Sequence, residues 1–528
     1  MLLKKGLHFY LVLCLFAIYL INGLLAIPRN SVTYDEMDHW SYGKRILKLQ
    51  PQKVYPYDDG TDMPIYGLNA LPRAVEQLIN PSLSKTDGGF SDIMHGRYVT
   101  LLICLLIGVY IYKWSKELFG KWAGVFSLFL FVFCPNLNAH AALLSSDSYT
   151  ALSGLVTFYY FCKFVIHSGW KNFMFFSVAF SIALLTKYTL LHFLPVFGLL
   201  SLFILLYRRS VLKNWKQNFV RLAVFSVIVL TIINIAFLFN GCGQKLSAYN
   251  FRSSSFQALQ KIPVINNIPL PLPVPYVEGF DVGYHMTELG AGHPLVGGKN
   301  YLFGKFSTEG IWYYYIAVIL FKTPLPYIFI FLLLAGVCLS NRKKWSIQSP
   351  EFILLFGLFY FLIYFSFFMR VNGGIRHIIF LYPILYVLAG RITLVQWKQN
   401  YRRIATAIFI IWSLASFYFF FPNLISYTNE LILDKKRAYK IMADSNLDYG
   451  QGNFSIESYL QKHKDVQLAD TIAKTGNFVL GINDYVDIYG SGKYAWLKNF
   501  EPVAHINHCY LLFNVTTVAV DKNMNERD

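Results

Sequence analysis

The sequence predicts an all-α polytopic membrane protein of about eleven or more transmembrane helices, followed by a small exterior α/β domain. Three observations predict it. Of 528 residues, 55% are hydrophobic and only 14% charged, where a soluble chain carries about 25%. Runs of 16 to 22 apolar residues recur through the first 420 positions, each long enough to cross ~30 Å of hydrocarbon as a helix. Beyond residue 421 the pattern changes to short strand-like runs, such as Asn477-Phe-Val-Leu-Gly and Tyr510-Leu-Leu-Phe-Asn-Val, with helical stretches between them.

The first apolar run, ending at Ile27, follows Lys4 and Lys5. It is longer than a signal-peptide core and lacks Ala-x-Ala before Pro28, so it reads as a retained first span. The expected spans are 8–27, 94–112, 122–137, 147–166, 172–187, 189–207, 219–239, 323–340, 351–369, 375–391 and 403–421. This divides the chain into a membrane portion, 1–421, and a tail, 422–528.

The net charge of +18 would suggest nucleic acid in a soluble chain. Here the basic residues sit in short alternate loops: Lys113 to Lys121, Lys163 to Lys171, Arg208-Arg209 with Lys213, Lys216 and Arg221, Arg342-Lys343-Lys344, and Arg391 with Lys398, Arg402 and Arg403. Basic short loops face the cytoplasm, so no nucleic-acid partner is called for. The N-terminus is then cytoplasmic, while loops 28–93 and 241–310 and the tail lie outside, in the periplasm if the host is Gram-negative. Within loop 28–93, residues 34–49 and 71–79 are amphipathic and suit helices lying on the membrane surface. Loop 241–310 is Pro- and Gly-rich and long for a connection, a mark of function.

Seven cysteines are present. Cys14, Cys104, Cys134, Cys162 and Cys338 lie in or beside apolar spans and read as small hydrophobes. Cys242 and Cys509 fall outside, where both pairing and free thiols are open. Asn453-Phe-Ser455 and Asn514-Val-Thr516 fit a glycosylation pattern that recurs by chance.

The chemistry-bearing residues gather on the exterior side. Tyr34-Asp35-Glu36-Met37-Asp38-His39 packs three carboxylates and an imidazole just after the first span. Asp147 opens one span, in Leu144-Ser-Ser-Asp147, either as a helix cap or as a functional carboxylate. Lys187, Lys322, Arg370, Arg376, His377 and Arg97 stand at outer span ends. Single cations there often snorkel to the interface. A ring of them on the face the charge rule leaves poor in cations instead calls for an anion, and lipid phosphate is the obvious one. His39, His95, His140, His285, His293 and His377 are all exterior. A divalent metal held by Asp35, Glu36 and His39 is conceivable, although neighbouring positions 35 and 36 point apart on a helix.

A carboxylate base plus exterior cations suits transfer of a group from a membrane-bound phosphate ester. The Asp35-Glu36 pair, Ser145-Ser146-Asp147, Thr186-Lys187-Tyr188 and Arg376-His377 before Tyr382-Pro383 resemble integral-membrane glycosyltransferases of the GT-C fold, family 39. That family spans protein O-mannosyltransferases and the lipid A aminoarabinose transferase. Gly310-Ile-Trp-Tyr-Tyr-Tyr, Lys322-Thr-Pro-Leu-Pro and Asp444-Ser-Asn-Leu-Asp-Tyr-Gly-Gln451 resemble its bacterial members. The resemblance implies a polyprenyl-phosphate sugar donor, inversion at the anomeric carbon, and a lipid, glycan or protein acceptor. It implies Asp35 as base with Glu36 in support, Asp147 assisting in the acceptor or metal region, and Arg97, Lys187, Lys322, Arg376 and His377 as donor-phosphate ligands. Asp38 and His39 are left as a solvated helix face. A lumenal insert found in protein O-mannosyltransferases is absent, which leaves the acceptor open. A lipid-linked oligosaccharide transporter or flippase, and a surface-polysaccharide ligase, are the alternatives. The charges crowd the outer rim and no paired halves appear, unlike a transporter.

Overall fold

The computed structural model describes residues 6–55, 57–82, 89–207, 214–290, 299–340 and 346–516. Lys4, Lys5, Arg208, Arg209, Lys213, Gly292, His293, Gly297, Gly298 and Arg342–Lys344 lie outside the described residues. Among those described, seven helices are long and apolar enough to cross a membrane: Leu7–Arg29, Phe90–Phe119, Ser146–Ile166, Tyr188–Tyr207, Trp215–Ala236, Pro350–Phe367 and Gln399–Phe420. Two bent pairs and the shorter apolar helices Trp170–Leu184 and Leu381–Leu394 complete the helical body. Every expected span thus has a helical counterpart.

The bends follow from proline. The residue before a proline is pushed out of the helical region. Cys134, before Pro135, and Thr323, before Pro324, are both extended. Lys121–Val132 therefore meets Pro135–Ala141 at 64°, and Tyr314–Lys322 meets Leu325–Ser340 at 118°. Span eight, expected as a straight helix opened by Lys322, is instead the second arm of a sharp bend.

A break frees backbone carbonyls that lipid cannot satisfy. Side chains satisfy them here. Asn136 Nδ2 donates to Lys322 O at 2.7 Å, and Asn429 Nδ2 donates to Thr323 O at 2.8 Å and to Leu320 O. Lys322 itself is buried, its ammonium donating to Ile425 O at 2.6 Å and to Asn446 O. Its expected role as a phosphate ligand is therefore corrected: the side chain ties the bend to the segment after the last span. Replacing it by Met strands both carbonyls, each worth about 1–3 kcal/mol. Lys322→Met is expected to lower the thermal unfolding midpoint in detergent while phosphate affinity stays unchanged. A loss of phosphate affinity at unchanged midpoint would restore the ligand role.

Leu424, Ile425, Tyr427 and Tyr449 belong to the apolar core of the helices. Further on, Ile432 to Val515 build a separate core that also takes in Tyr301 from the long loop. In that loop β1 (Asn300–Leu302) and β2 (Lys305–Ser307) form a hairpin. The tail strands β3 (Val466–Leu468), β4 (Gly476–Gly481), β5 (Ala504–Ile506) and β6 (Tyr510–Val515) form one sheet ordered β3-β4-β6-β5. β3 runs parallel to β4, and the other pairs are antiparallel. β4 and β6 fall on the two strand-like runs of the tail, Asn477-Phe-Val-Leu-Gly and Tyr510-Leu-Leu-Phe-Asn-Val.

Both amphipathic stretches are helical, Glu36–Leu47 and Gly67–Ile79. The second buries Asn69, Ala70 and Arg73 and exposes Leu68, Leu71, Val75, Leu78 and Ile79. That unpartnered apolar stripe fits a helix lying in the bilayer surface. Cys242 and Cys509 are both free thiols, one exposed and one buried.

Candidate active site

One cavity of about 430 Å3 collects side chains from far apart in sequence. It takes Asp35, Asp38 and His39 from the first loop, Asp147 and Lys187 from helix ends, Arg376 and His377 from the turn after residue 369, and Asp444 and Tyr449 from the tail.

The local fold separates the two adjacent acids. Glu36 reaches back to accept from Thr33 N at 2.8 Å. Its oxygens also accept from Leu144 N at 2.8 Å and from Arg97 Nε and Nη2 at 2.7 and 2.6 Å. Arg97 spends its remaining donors on the carbonyls of Ile27, Asn30 and Ser31. Their side chains are 1% and 0% exposed, and neither lines the cavity. Both expectations are corrected: Glu36 has no free lone pair for catalysis, and Arg97 has no free N–H for phosphate. Together they clamp the first loop to the helix Phe90–Phe119.

Asp35, one residue earlier, faces the cavity. Arg376 Nη1 donates to its Oδ2 at 2.6 Å, and the Tyr449 hydroxyl donates to the same oxygen. Arg376 also donates to the Tyr449 oxygen and lies over its ring, 4.8 Å from the centroid. Burial pushes the Asp35 carboxyl up, but the Arg376 and His39 charges and the Tyr449 bond outweigh it and hold it at about 2. The resting carboxylate is ionised and neutralised.

Arg376 is itself held from the tail. The turn Val371-Asn-Gly-Gly runs against Ser445 and Asn446, where Ser445 Oγ donates to Gly373 O at 3.0 Å and Asn446 Oδ1 accepts from Ile375 N at 3.1 Å. A Cβ at Gly374, whose φ is +81°, would stand 2.7 Å from Ser445 Oγ, which is why glycine occupies this position.

The second ion pair joins Asp147 and Lys187 at 2.8 Å. Ser145, not Asp147, caps the helix Ser146–Ile166: its Oγ accepts from Asp147 N. The cap reading of Asp147 is thereby corrected, and its carboxylate is left for Lys187, for the Ser145 hydroxyl at 3.2 Å and for His140 at 3.4 Å. His377 lines the cavity beside these cations and contacts Tyr315 OH at 3.3 Å. Burial, then Lys187 and Arg376, push it well below the usual imidazole range, so it is neutral.

The remaining first-loop residues are not a solvated face. His39 pairs with Asp62 at 2.7 Å and stacks on Tyr66 with centroids 4.2 Å apart. Burial pushes the imidazole down, but Asp62 more than offsets this and it ends up raised. Asp38 is pushed up to about 6 by burial and by Asp58 and Asp62. Asp35, Glu36 and His39 thus turn to three different partners, which removes the common chelate considered for them. Among the described residues no three His, Cys, Asp or Glu side chains converge on one point. Arg370 pairs loosely with Glu309 at 3.7 Å away from the cations, and His95 bonds Ser91 O at the surface.

Tyr449 is the site residue that sequence reasoning missed. It lies within the stretch Asp444–Gln451 that carried the resemblance, but nothing in its pattern marks a tyrosine as partner to a carboxylate 414 positions away.

The family model described as dolichyl-phosphate-mannose-protein mannosyltransferase matches residues 89–233. The chain is therefore similar to membrane glycosyltransferases of this type over the segment that carries Asp147 and Lys187. Among solved structures, ArnT from Cupriavidus metallidurans bound to undecaprenyl phosphate is 12% identical, with a TM-score of 0.49, covering 96% of this chain and 98% of that one. The archaeal oligosaccharyltransferase AglB from Archaeoglobus fulgidus, in complex with an inhibitory peptide and a dolichol-phosphate, is 13% identical, with a TM-score of 0.47, covering 87% and 60%. No curated protein matches the chain in sequence.

Proposed function

We propose that the protein transfers a sugar from a polyprenyl-phosphate donor to an acceptor hydroxyl at the outer face of the membrane, with Asp35 as general base. The observation that carries this reading is the pair of carboxylate–cation contacts, Asp35–Arg376 and Asp147–Lys187, lining one cavity. The mannosyltransferase match over 89–233 supports the reaction class. The basic short loops support the orientation, and on the same reading 1–421 is the catalytic membrane portion and 422–528 the exterior domain.

Each cation begins neutralised by a carboxylate, so an arriving phosphate finds two charges already aimed into the cavity. Arg376 presents a planar fork suited to phosphate and Lys187 a compact charge; neutral His377 adds a ring nitrogen. As the phosphate engages Arg376, Asp35 loses its main neutralising partner and its proton affinity rises. The acceptor hydroxyl then gives its proton to Asp35. Its oxygen bonds to the anomeric carbon from the opposite face as the carbon–oxygen bond to phosphate breaks. The electron pair leaves on the lipid phosphate, where Arg376 and Lys187 stabilise it. Asp147 positions Lys187. Phe280, Tyr364 and Met369 give the cavity an apolar wall suited to the first isoprene units.

The Tyr449 hydroxyl helps hold the Asp35 carboxyl low, so removing it lets that carboxyl rise. Tyr449→Phe is expected to move the acid limb of the transfer rate to higher pH, with the donor KM unchanged, measured by product formation across pH 4–8. An unmoved limb would remove Tyr449 from the base's environment.

A further inference from the structure

We infer that Asp444 and Tyr489 of the tail, with Tyr34 beside the base, form the acceptor subsite, and that the acceptor is a saccharide. This rests on the reading of the cavity as a glycosyl-transfer site and names the acceptor class that reading leaves open.

Asp444 lines the cavity in the left-handed region, at φ +57°. Aspartate tolerates this region better than most residues, but its surroundings must hold it in that one conformation. They do so here. Asp444 N donates to Asn483 Oδ1 at 2.8 Å, and its carbonyl accepts from Leu447 N and Asp448 N. On the next residue, the Ser445 hydroxyl is fixed on Gly373 O. The held conformation presents a carboxylate that takes a backbone hydrogen bond from Ser445 N and none from a side chain among the described residues. Asp35 and Asp147 are each matched to a cation; Asp444 is not. It still lies within electrostatic reach of both Arg376 and Asp35 and lines the same cavity.

Two aromatic rings complete the subsite. Tyr34 is 57% exposed and Tyr489 43% exposed, and both line the same cavity. Tyr34 packs edge-on against Tyr449, with centroids 6.1 Å apart. Open aromatic faces beside a carboxylate with unfilled lone pairs suit a pyranose, whose C–H face packs on a ring and whose hydroxyls donate to the carboxylate. An extended peptide would want an exposed strand edge. The tail's contributions to the cavity, Asp444, Tyr449, Ile488 and Tyr489, all lie outside its strands. A lipid tail would want an apolar wall, and only Ile488 in this group is aliphatic.

The test uses the full chain in detergent with undecaprenyl phosphate present. Saturation-transfer NMR would be recorded with methyl glycosides of glucose, galactose, mannose and N-acetylglucosamine, and with a serine-containing peptide. At least one glycoside is expected to receive saturation at its ring protons. That signal is expected to fall about tenfold in Asp444→Asn and in Tyr489→Leu, in line with loss of a charged hydrogen bond or an aromatic contact. Both variants should keep the thermal stabilisation that undecaprenyl phosphate gives the parent. The inference is overturned if no glycoside binds, if only the peptide does, or if the signal survives both substitutions. Failure of undecaprenyl phosphate to stabilise the parent would instead overturn the donor reading, and the subsite with it.

Discussion

Asp35→Asn is expected to lower sugar transfer by about 10²–10⁴-fold, the usual contribution of a positioned base, while undecaprenyl phosphate binds as well as before or better. The second half of this expectation discriminates. In the parent, Asp35 holds Arg376 at 2.6 Å and partly neutralises it. An amide keeps the hydrogen-bonding shape but releases the full guanidinium charge to the phosphate. A residue that merely supported the cavity would lose binding and turnover together. A base lost from an otherwise intact site loses only turnover. Paired measurement of phosphate binding and single-turnover transfer in one preparation separates the two outcomes.

The second large effect belongs to the neighbouring acid and is of a different kind. Removing one member of a buried ion pair strands the other, at a cost of roughly 3–5 kcal/mol. Glu36 and Arg97 form such a pair, at 1% and 0% exposure. Arg97→Met leaves buried Glu36 without its cation, with only the backbone donors Thr33 N and Leu144 N, and takes donors from three backbone carbonyls. The expected result is a much lower thermal midpoint and poor recovery of monodisperse protein, whereas Arg370→Met, whose loose pair with Glu309 is exposed on both sides, leaves the midpoint near the parent's. A thermally normal Arg97→Met that fails to bind phosphate would reinstate Arg97 as a ligand.

These contrasts show which parts of the site were legible in the sequence. The spans were, because a helix in lipid must be apolar over its whole length, and hydropathy reports that directly. So was the charge at outer span ends, which stands out against apolar flanks, and Asp35, Asp147, Lys187, Arg376 and His377 come to line one cavity. What the sequence does not report is direction. Asp35 and Glu36 are the same chemistry one position apart, and only the return of Glu36 to Thr33 N turns one into the clamp and leaves the other in the cavity. Lys322 and Lys187 look alike at span ends, but the 118° bend at Thr323-Pro324 carries Lys322 inward to serve carbonyls that the break exposes. Asp38 and His39 read as a wet helix face because Asp62 and Tyr66, which receive His39, arrive from more than twenty residues away. Tyr449 and Asp444 were hidden for the same reason: their relation to Asp35 exists only after the tail folds back over the helices.

The central claim is that two adjacent carboxylates divide the labour, Asp35 for chemistry and Glu36 for structure. Its most direct test is the transfer rate per folded molecule for Asp35→Asn and Glu36→Gln, measured side by side in the same lipid. The account predicts that Asp35→Asn is folded, binds phosphate and is nearly inactive, while the surviving folded fraction of Glu36→Gln transfers sugar at close to the parent rate. Equal loss per folded molecule in both, or activity retained by Asp35→Asn, would contradict it.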